Sequence, residues 1–199
     1  LLRRTGQIDK AISLHLDLLE NREMNVDQQE SVKAELAQDY FKAELYDRSE
    51  ELRLSLTKNN YEQFKLNTLL EIYVKERDWE KAVKMASQLE KISGVSFRKE
   101  ISHYYCEMAV SMIISKKYSD GSKFLLQAIE EHKNCVRANI LLGDVRESQG
   151  MIDEAISYWR KIEYQKPEYL GLVASKIIKA YQAEGKINDG LSILSRYYD

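Results

Sequence analysis

The heptapeptide Gly-Met-Ile-Asp-Glu-Ala-Ile at residues 150–156 has five counterparts along this chain of 199 residues. Each copy contains a turn residue, a spacer, a large apolar residue, usually an acidic or amide residue, a second spacer and a small residue. A close copy, Gly-Gln-Ile-Asp-Lys-Ala-Ile, occupies residues 6–12. The small residues recur at intervals of 38, 33, 39, 34 and 35 residues, at Ala11, Ser49, Ala82, Gly121, Ala155 and Gly190. This period is typical of a helical solenoid, an architecture that usually provides an extended binding surface.

The repeat spanning residues 136–167 shows why the phrase predicts a helix hairpin. In its second half, Ala155, Trp159 and Ile162 recur on one helical face. Gly150 suits a left-handed cap that ends the first helix, and the proline at position 167 stops the second because it lacks a donor. The small residue lies where the two helices cross, since a larger side chain there would separate them. The pattern predicts a tetratricopeptide-type hairpin.

We therefore predict an all-α fold, a tetratricopeptide-repeat solenoid that forms a right-handed superhelix of antiparallel helix hairpins. The predicted repeats are residues 1–29 (partial), 30–62, 63–101, 102–135, 136–170 and 171–199. Residues 1–4 are expected to be the last turn of a first helix. The longer periods suggest additional residues around positions 21–26 and 91–96. Asp27 with Glu30 resembles a capping box with Asp27 at the cap.

Composition excludes several classes of function. The formal net charge is -2, from 30 basic and 32 acidic residues, which does not indicate a nucleic-acid or anionic-membrane partner. No apolar run reaches the ~20 residues of a membrane span, and no signal peptide is visible. Cys106 and Cys135 lie outside any CxxC pair, which favours a reducing compartment over a disulfide scaffold.

Chemical motifs are sparse, and we expect neither catalysis nor a cofactor. His103 and Cys106 are three residues apart on a predicted helix, but a zinc site needs three or four ligands. His132 beside Cys135 lacks a third catalytic partner, and no glycine-rich phosphate loop occurs. The 13 tyrosines and two tryptophans fall largely at repeat core positions, which favours packing over base stacking.

The inner wall is the best candidate for a binding surface, because the first helix of each hairpin lines the concave face of such a superhelix. Its predicted residues mix amides, acids and bases, unlike a purely basic clamp for a carboxylate. A solvated polar face is the alternative interpretation of each residue taken singly. The predicted partner-binding residues are Gln38, Lys42, Asn67, Glu71, Lys75, His103, Cys106, Arg137, Asp144, Glu147 and Lys179.

Several stretches resemble the lipopolysaccharide assembly protein B family of Gram-negative bacteria. The most specific is Glu-Ile-Ser-His-Tyr-Tyr-Cys-Glu at residues 100–107, which the generic repeat does not require. The other similar stretches are residues 4–12 with His15, residues 39–40, 45–50 and 79–82, and residues 133–134 with Arg137. Together they extend over nearly the whole chain.

The resemblance implies a non-enzymatic adaptor at the cytoplasmic face of the inner membrane. Members of the family help the membrane protease FtsH to degrade the deacetylase of the lipid A pathway, which limits lipopolysaccharide synthesis. They carry an N-terminal transmembrane anchor and a C-terminal rubredoxin-like module that holds zinc or iron through two CxxC pairs. Neither occurs in this sequence, so we expect a portion of a longer protein with no metal of its own.

The expected partners are FtsH, the deacetylase and the zinc module of the same protein, with no nucleic acid and with membrane contact only through the absent anchor. Exposed apolar faces at the two ends suggest that the fragment can dimerise. The alternative function is a generic peptide-binding module similar to a co-chaperone. An enzyme would need a clustered acid-base constellation, which the sequence lacks.

Overall fold

The computed structural model describes residues 2–21, 23–57 and 61–195. Within these ranges it contains eleven α-helices and no strand, which confirms the predicted all-α class. The helices are α1 (Ile8–Leu19), α2 (Val26–Lys42), α3 (Tyr46–Ser55), α4 (Glu62–Glu76), α5 (Trp79–Ser93), α6 (Arg98–Ile114), α7 (Tyr118–Glu131), α8 (Val136–Ser148), α9 (Ile152–Gln165), α10 (Gly171–Ala183) and α11 (Ile187–Ser195). Short 3-10 turns occur at Leu2–Thr5 and Pro167–Tyr169.

The helices pack as hairpins of tetratricopeptide type, as the sequence predicts. The hairpins are α2 with α3, α4 with α5, α6 with α7, α8 with α9 and α10 with α11, and α1 packs against α2. The chain forms two compact units, the first comprising residues 1–97 and the second residues 98–199. The first unit therefore contains α1 to α5, and the second contains α6 to α11.

The recurring phrase marks the start of each odd-numbered helix, from α1 to α11. Its large apolar residue is the first residue of the helix in all six copies, at Ile8, Tyr46, Trp79, Tyr118, Ile152 and Ile187. The small residue follows three positions later, within the first turn, and is buried in each copy. Ala82 and Ala155 are fully buried, and the Oγ of Ser49 donates to the carbonyl of Ala37 at 2.7 Å across the hairpin. The predicted role of the small residue at the helix crossing is confirmed.

The turn before each of these helices has one geometry. A residue in the left-handed region lies two positions before the large apolar residue, at Gly6, Glu44, Arg77, Lys116, Gly150 and Gly185. The next N–H then donates to the carbonyl five positions earlier, as Met151 does to Arg146 at 2.9 Å. This bond closes a Schellman motif. The predicted left-handed cap at Gly150 is confirmed by its φ of 77°.

In three of these turns the residue with a left-handed backbone conformation, which favours glycine, carries a side chain. Glu44, Arg77 and Lys116 have φ values of 60°, 59° and 61°. Each non-glycine residue in this region costs on the order of 1 kcal/mol. The turn nevertheless persists because its closing hydrogen bond satisfies a helix-end carbonyl and because the hairpin packing holds both helices in place.

The structure corrects two details of the sequence interpretation. The extra length of the two longest periods lies largely in the first helices, because α2 and α6 each have 17 residues whereas α8 and α10 each have 13. The capping box of α2 joins Asn25 with Gln28, not Asp27 with Glu30. Asp27 already lies in the first turn, and a carboxylate oxygen of Glu30 accepts hydrogen bonds from Thr57.

The close approach of α8 and α9 is the tightest glycine-dependent contact in the second unit. Gly143 is buried against the indole of Trp159, which is itself fully buried. The Trp159 Nε1–H lies 3.3 Å from the carbonyl of Ile140 and 3.2 Å from Oδ1 of Asp144, so the indole is satisfied within the core. Among the described residues, no helix is both long enough and apolar enough to cross a bilayer.

Replacement of Gly143 by alanine should destabilise the second unit. The added Cβ would fall well inside van der Waals distance of the Trp159 indole. Alanine gains about 1 kcal/mol in a helix interior, but overpacking costs about 1–3 kcal/mol, and displacement of the indole would also break its hydrogen bonds. We expect the free energy of unfolding to fall by roughly 2 kcal/mol, measured by urea denaturation with circular dichroism.

Gly171→Ala is the matched control, because a Cβ at position 171 would meet no atom within 4 Å. Its stability should equal or slightly exceed that of the unmodified chain. Equal stability of the two variants would show that the contact between Gly143 and Trp159 is not close-packed in solution.

Candidate protein-interaction surface

In the first unit, the predicted binding residues lie on α2 and α4. Lys42, Asn67, Glu71 and Lys75 are exposed. Gln38 is half-buried, and its Oε1 accepts a hydrogen bond from Nη2 of Arg53 at 3.0 Å. Four of these five side chains are therefore open to a partner, while Gln38 holds a neighbouring helix.

In the second unit, the predicted binding residues differ in accessibility. His103, Arg137, Glu147 and Lys179 are exposed, Asp144 is half-buried and Cys106 is fully buried. The expected surface position of Cys106 is wrong, because its side chain belongs to the apolar cluster between α6, α7 and α8. As it stands, Cys106 cannot touch a binding partner.

An exposed polar cluster joins α6 to α8, and we call His103, Glu107 and Arg137 the α6–α8 cluster. Nη1 of Arg137 lies 2.5 Å from Oε1 of Glu107 and 3.3 Å from Nδ1 of His103. Nε2 of His103 lies 3.5 Å from the same Glu107 oxygen. Arg137 and His103 keep 42% and 54% of their side-chain surface accessible. The cluster thus presents a cation whose orientation is fixed by an acid.

Asp144 has a structural role beside this surface. Its Oδ1 accepts a hydrogen bond from Nζ of Lys176 at 2.5 Å and lies 3.2 Å from Nε1 of Trp159. Lys176 also lies over the Trp159 ring, with its Nζ 5.8 Å from the ring centroid. Asp144 therefore joins α8 to α9 and α10 through its Oδ1.

A second polar cluster joins the start of the chain to α2, and we call Arg3, His15, Glu35 and Asp39 the α1–α2 cluster. Arg3 forms ion pairs at 2.6 Å with both Glu35 and Asp39. Nδ1 of His15 lies 2.5 Å from the other oxygen of Asp39, whose side chain is fully buried. These side chains form part of the wall of a groove of about 590 Å³.

Arg53 of α3 is a buried cation that the sequence interpretation missed. Its guanidinium lies over the Phe64 ring, 4.1 Å from the centroid. It donates to Gln38, but its Nε and Nη1 find no hydrogen-bond partner among the described residues. Burial lowers the pKa of the guanidinium to about 10. No local pattern distinguishes such an arginine from a surface one, because its burial depends on α4 packing over it.

Glu107 and Lys176 were also absent from the predicted set. Glu107 follows His103 at the i,i+4 spacing that brings two side chains together on a helix, and this signal was present in the sequence. Lys176 had no comparable local signal, because its partner Asp144 lies 32 residues earlier.

The geometry also bears on the histidines and cysteines considered above. Among the described residues, no group of three or more His, Cys, Asp or Glu side chains is placed to hold a metal ion. His103 faces Glu107 and Arg137, whereas Cys106 faces Cys135 with 3.8 Å between the sulfur atoms. His15 pairs with Asp39 of α2, not with Asp17, which lies two residues further along its own helix.

The fold and these clusters define a helical-repeat protein of the kind that serves as a protein-interaction scaffold. The resemblance noted from the sequence is confirmed by two relatives named lipopolysaccharide assembly protein B. The one from Escherichia coli (strain K12) is 29% identical over 197 residues, covering 98% of this chain and 51% of the relative. The one from Haemophilus influenzae is 29% identical over 192 residues, covering 95% and 48% respectively. The chain spans about half the length of these relatives.

Two further comparisons concern the fold. A family model of the PPR repeat matches residues 66–92, which contain most of the α4–α5 hairpin. The crystal structure of BtubC from P. vanneervenii has a TM-score of 0.51 with this chain at 14% identity, covering 98% of this chain and 88% of BtubC. At this identity the likeness shows a shared fold.

Substitution of Asp39 by asparagine should destabilise the first unit. Asparagine keeps the shape but removes the negative charge that faces both Arg3 and His15. Loss of one partner from a buried ion pair is costly, although Arg3 is partly accessible to water and so partly compensated. We expect the free energy of unfolding to fall by about 2 kcal/mol, measured by urea denaturation.

Asp17→Asn provides the control, because Asp17 is an exposed aspartate on α1 of the same unit. Its stability should change by less than about 0.5 kcal/mol. A loss of stability in Asp39→Asn as small as that expected for Asp17→Asn would indicate that the α1–α2 cluster is solvated and contributes little.

Proposed function

We propose that this chain is a non-enzymatic protein-binding scaffold that acts in lipopolysaccharide assembly. The observation that supports this most strongly is the match to two proteins named lipopolysaccharide assembly protein B over 95–98% of the chain. A match of this extent includes both units, so it does not depend on the generic repeat phrase alone. The hairpin fold supports a binding role over a catalytic one.

The finer proposal is that the full-length protein is an adaptor at the cytoplasmic face of the inner membrane of a Gram-negative bacterium. There it would promote degradation by FtsH of the deacetylase of the lipid A pathway. The repeat portion would receive the deacetylase or the rubredoxin-like zinc module of the same protein. The anchor and the zinc or iron module would be supplied by other parts of the full-length protein.

The α6–α8 cluster is the contact surface that we favour in the second unit. It brings together two stretches on which the family resemblance depends, residues 100–107 and the region containing Arg137. Exposed ion pairs contribute little to stability, typically about 0–1 kcal/mol. The ion pair that orients Arg137 against Glu107 is therefore not explained by folding stability alone. Arginine is enriched among residues that dominate binding energy. A partner with an acidic side chain or a carbonyl could bind Arg137 without having to order it.

RNA recognition is the function that the PPR match raises as an alternative. PPR proteins read about one base per helical repeat, and they therefore need several repeats of that kind. Here the match covers residues 66–92 only. The formal net charge of -2 also provides no general attraction for a polyanion. These observations favour a protein partner.

Charge reversal at Arg137 should weaken binding of the deacetylase. Arg137→Glu would place a second acid beside Glu107 and replace attraction for an acidic partner group with repulsion. We expect the dissociation constant to rise at least about tenfold, measured by pull-down and calorimetry with the full-length protein and purified deacetylase.

Lys123→Glu is the matched control, because Lys123 is an exposed cation on α7 whose i,i+3 ion pair with Asp120 also lies in the second unit. It should bind as the unmodified protein does. Equal binding by the Arg137 variant would exclude the α6–α8 cluster as the contact. Micromolar binding of C-terminal peptides from many unrelated proteins would instead favour the generic peptide-binding module.

Deletion of the gene that encodes the full-length protein should raise the cellular level of the deacetylase and the amount of lipopolysaccharide. Both follow if the adaptor normally commits the deacetylase to proteolysis. Immunoblotting of the deacetylase and quantification of lipopolysaccharide provide the readouts, with the intact gene restored on a plasmid as the control. Unchanged lipopolysaccharide in the deletion strain would rule out the proposal.

A further inference from the structure

The two cysteines of the chain meet inside the second unit, although they are 29 positions apart in sequence. Sγ of Cys106 lies 3.8 Å from Sγ of Cys135, and both thiols are free. Cys106 is fully buried in the apolar cluster beneath α6, and Cys135 packs against that cluster from the residue that precedes α8. For a disulfide to form, the two sulfur atoms must approach from this distance to about 2.0 Å.

Cys135 is the accessible member of the pair. It is half-buried and lies in the wall of a groove of about 420 Å³. Basic groups of His132, Arg137 and Lys166 also line this groove, and no acidic side chain does so among the described residues. A small polar reagent can therefore reach Cys135, whereas the side chain of Cys106 is fully buried.

The surroundings of Cys135 favour its thiolate. The contact with the Cys106 thiol lowers the pKa of the Cys135 thiol and the nearby His132 acts in the same direction, whereas burial opposes both. Cys135 is also the N-cap residue of α8, where the positive end of the helix dipole stabilises an anion. The same contact and burial raise the pKa of Cys106, which therefore retains its proton.

We propose that Cys106 and Cys135 form a dithiol site that a hydroperoxide converts to an intramolecular disulfide. The Cys135 thiolate attacks one peroxide oxygen and breaks the O–O bond, giving a sulfenic acid and, after proton uptake, water or an alcohol. The Cys106 sulfur then attacks the sulfenic sulfur, and the departing hydroxide takes up the Cys106 proton and leaves as water. The two thiols are oxidised by two electrons and the peroxide is reduced by two.

The disulfide would tie α6 to the N-cap residue that precedes α8. It would therefore join the first helices of two consecutive hairpins within the second unit. Arg137 lies two residues after Cys135 and contacts Glu107, which adjoins Cys106 in sequence. Oxidation would thus fix the geometry of the α6–α8 cluster. The proposed chemistry itself does not depend on the proposed function in lipopolysaccharide assembly.

Treatment of the folded chain with hydrogen peroxide tests the site directly. We expect the free-thiol titre to fall from two per chain to none and the intact mass to decrease by two hydrogens, with recovery of both thiols by dithiothreitol. Digestion without reduction should yield one cross-linked peptide that contains Cys106 and Cys135. The chain should remain monomeric on a non-reducing gel.

Two variants separate the roles of the sulfurs. Cys106→Ala should stop at the first step and give about one dimedone adduct per chain, at position 135. Cys135→Ala should lose the reaction, because the remaining thiol is buried and protonated. Circular dichroism would confirm that each variant folds, and the measurement on the unmodified chain does not depend on either.

Retention of both thiols under peroxide conditions that oxidise free cysteine would overturn the proposal. Cross-linking between chains in place of the internal disulfide would overturn it as well. So would dimedone capture at position 106 in the Cys135→Ala variant at the rate seen for position 135, because it would show that burial does not protect the second thiol.

Discussion

Close packing at the crossing point of each hairpin is the constraint on which the rest of the structure depends. Two helices joined by a turn of two or three residues can approach closely only if one of them carries a small side chain at the crossing. Ala82 and Ala155 meet this requirement with a methyl group, and Ser49 meets it with a hydroxyl that bonds across the hairpin. The left-handed turn and the apolar residue that begins the second helix both set that small residue at the crossing.

The polar surface is organised by contacts between elements of one unit that are separated in sequence by an intervening helix. Arg137 of α8 reaches Glu107 of α6, and Arg3 reaches Asp39 of α2. Such pairs orient charged groups before any partner arrives, which lowers the entropic cost of binding. They differ in kind, because Asp39 is buried and holds the fold together, whereas Arg137 remains accessible. The surface therefore contains both structural and available charges, and composition alone does not distinguish them.

Local patterns in the sequence predicted the hairpins because the physical requirement at each turn is local. The positions of Ala155 and Gly150 illustrate this, since both follow from residues within a few positions. Local patterns did not predict the burial or the partners of a side chain where these depend on packing against another helix. Cys106 was placed on the surface by its position on a first helix, but α7 and α8 cover it. The partners of Arg3 lie 32 and 36 residues away, beyond any helical periodicity. The other predicted binding residues remain predictions.

The contact between Trp159 and Gly143 has a spectroscopic consequence. The chain has two tryptophans, Trp79 in the first unit and Trp159 in the second. Trp159 is fully buried beside the ion pair of Lys176 with Asp144, while Trp79 begins α5 and is half-buried. Indole emission shifts to longer wavelength as water gains access to the ring. Phenylalanine at one of the two positions would leave a single indole, which reports on one unit alone, so comparison of the two variants would give the order in which the units unfold without an added label.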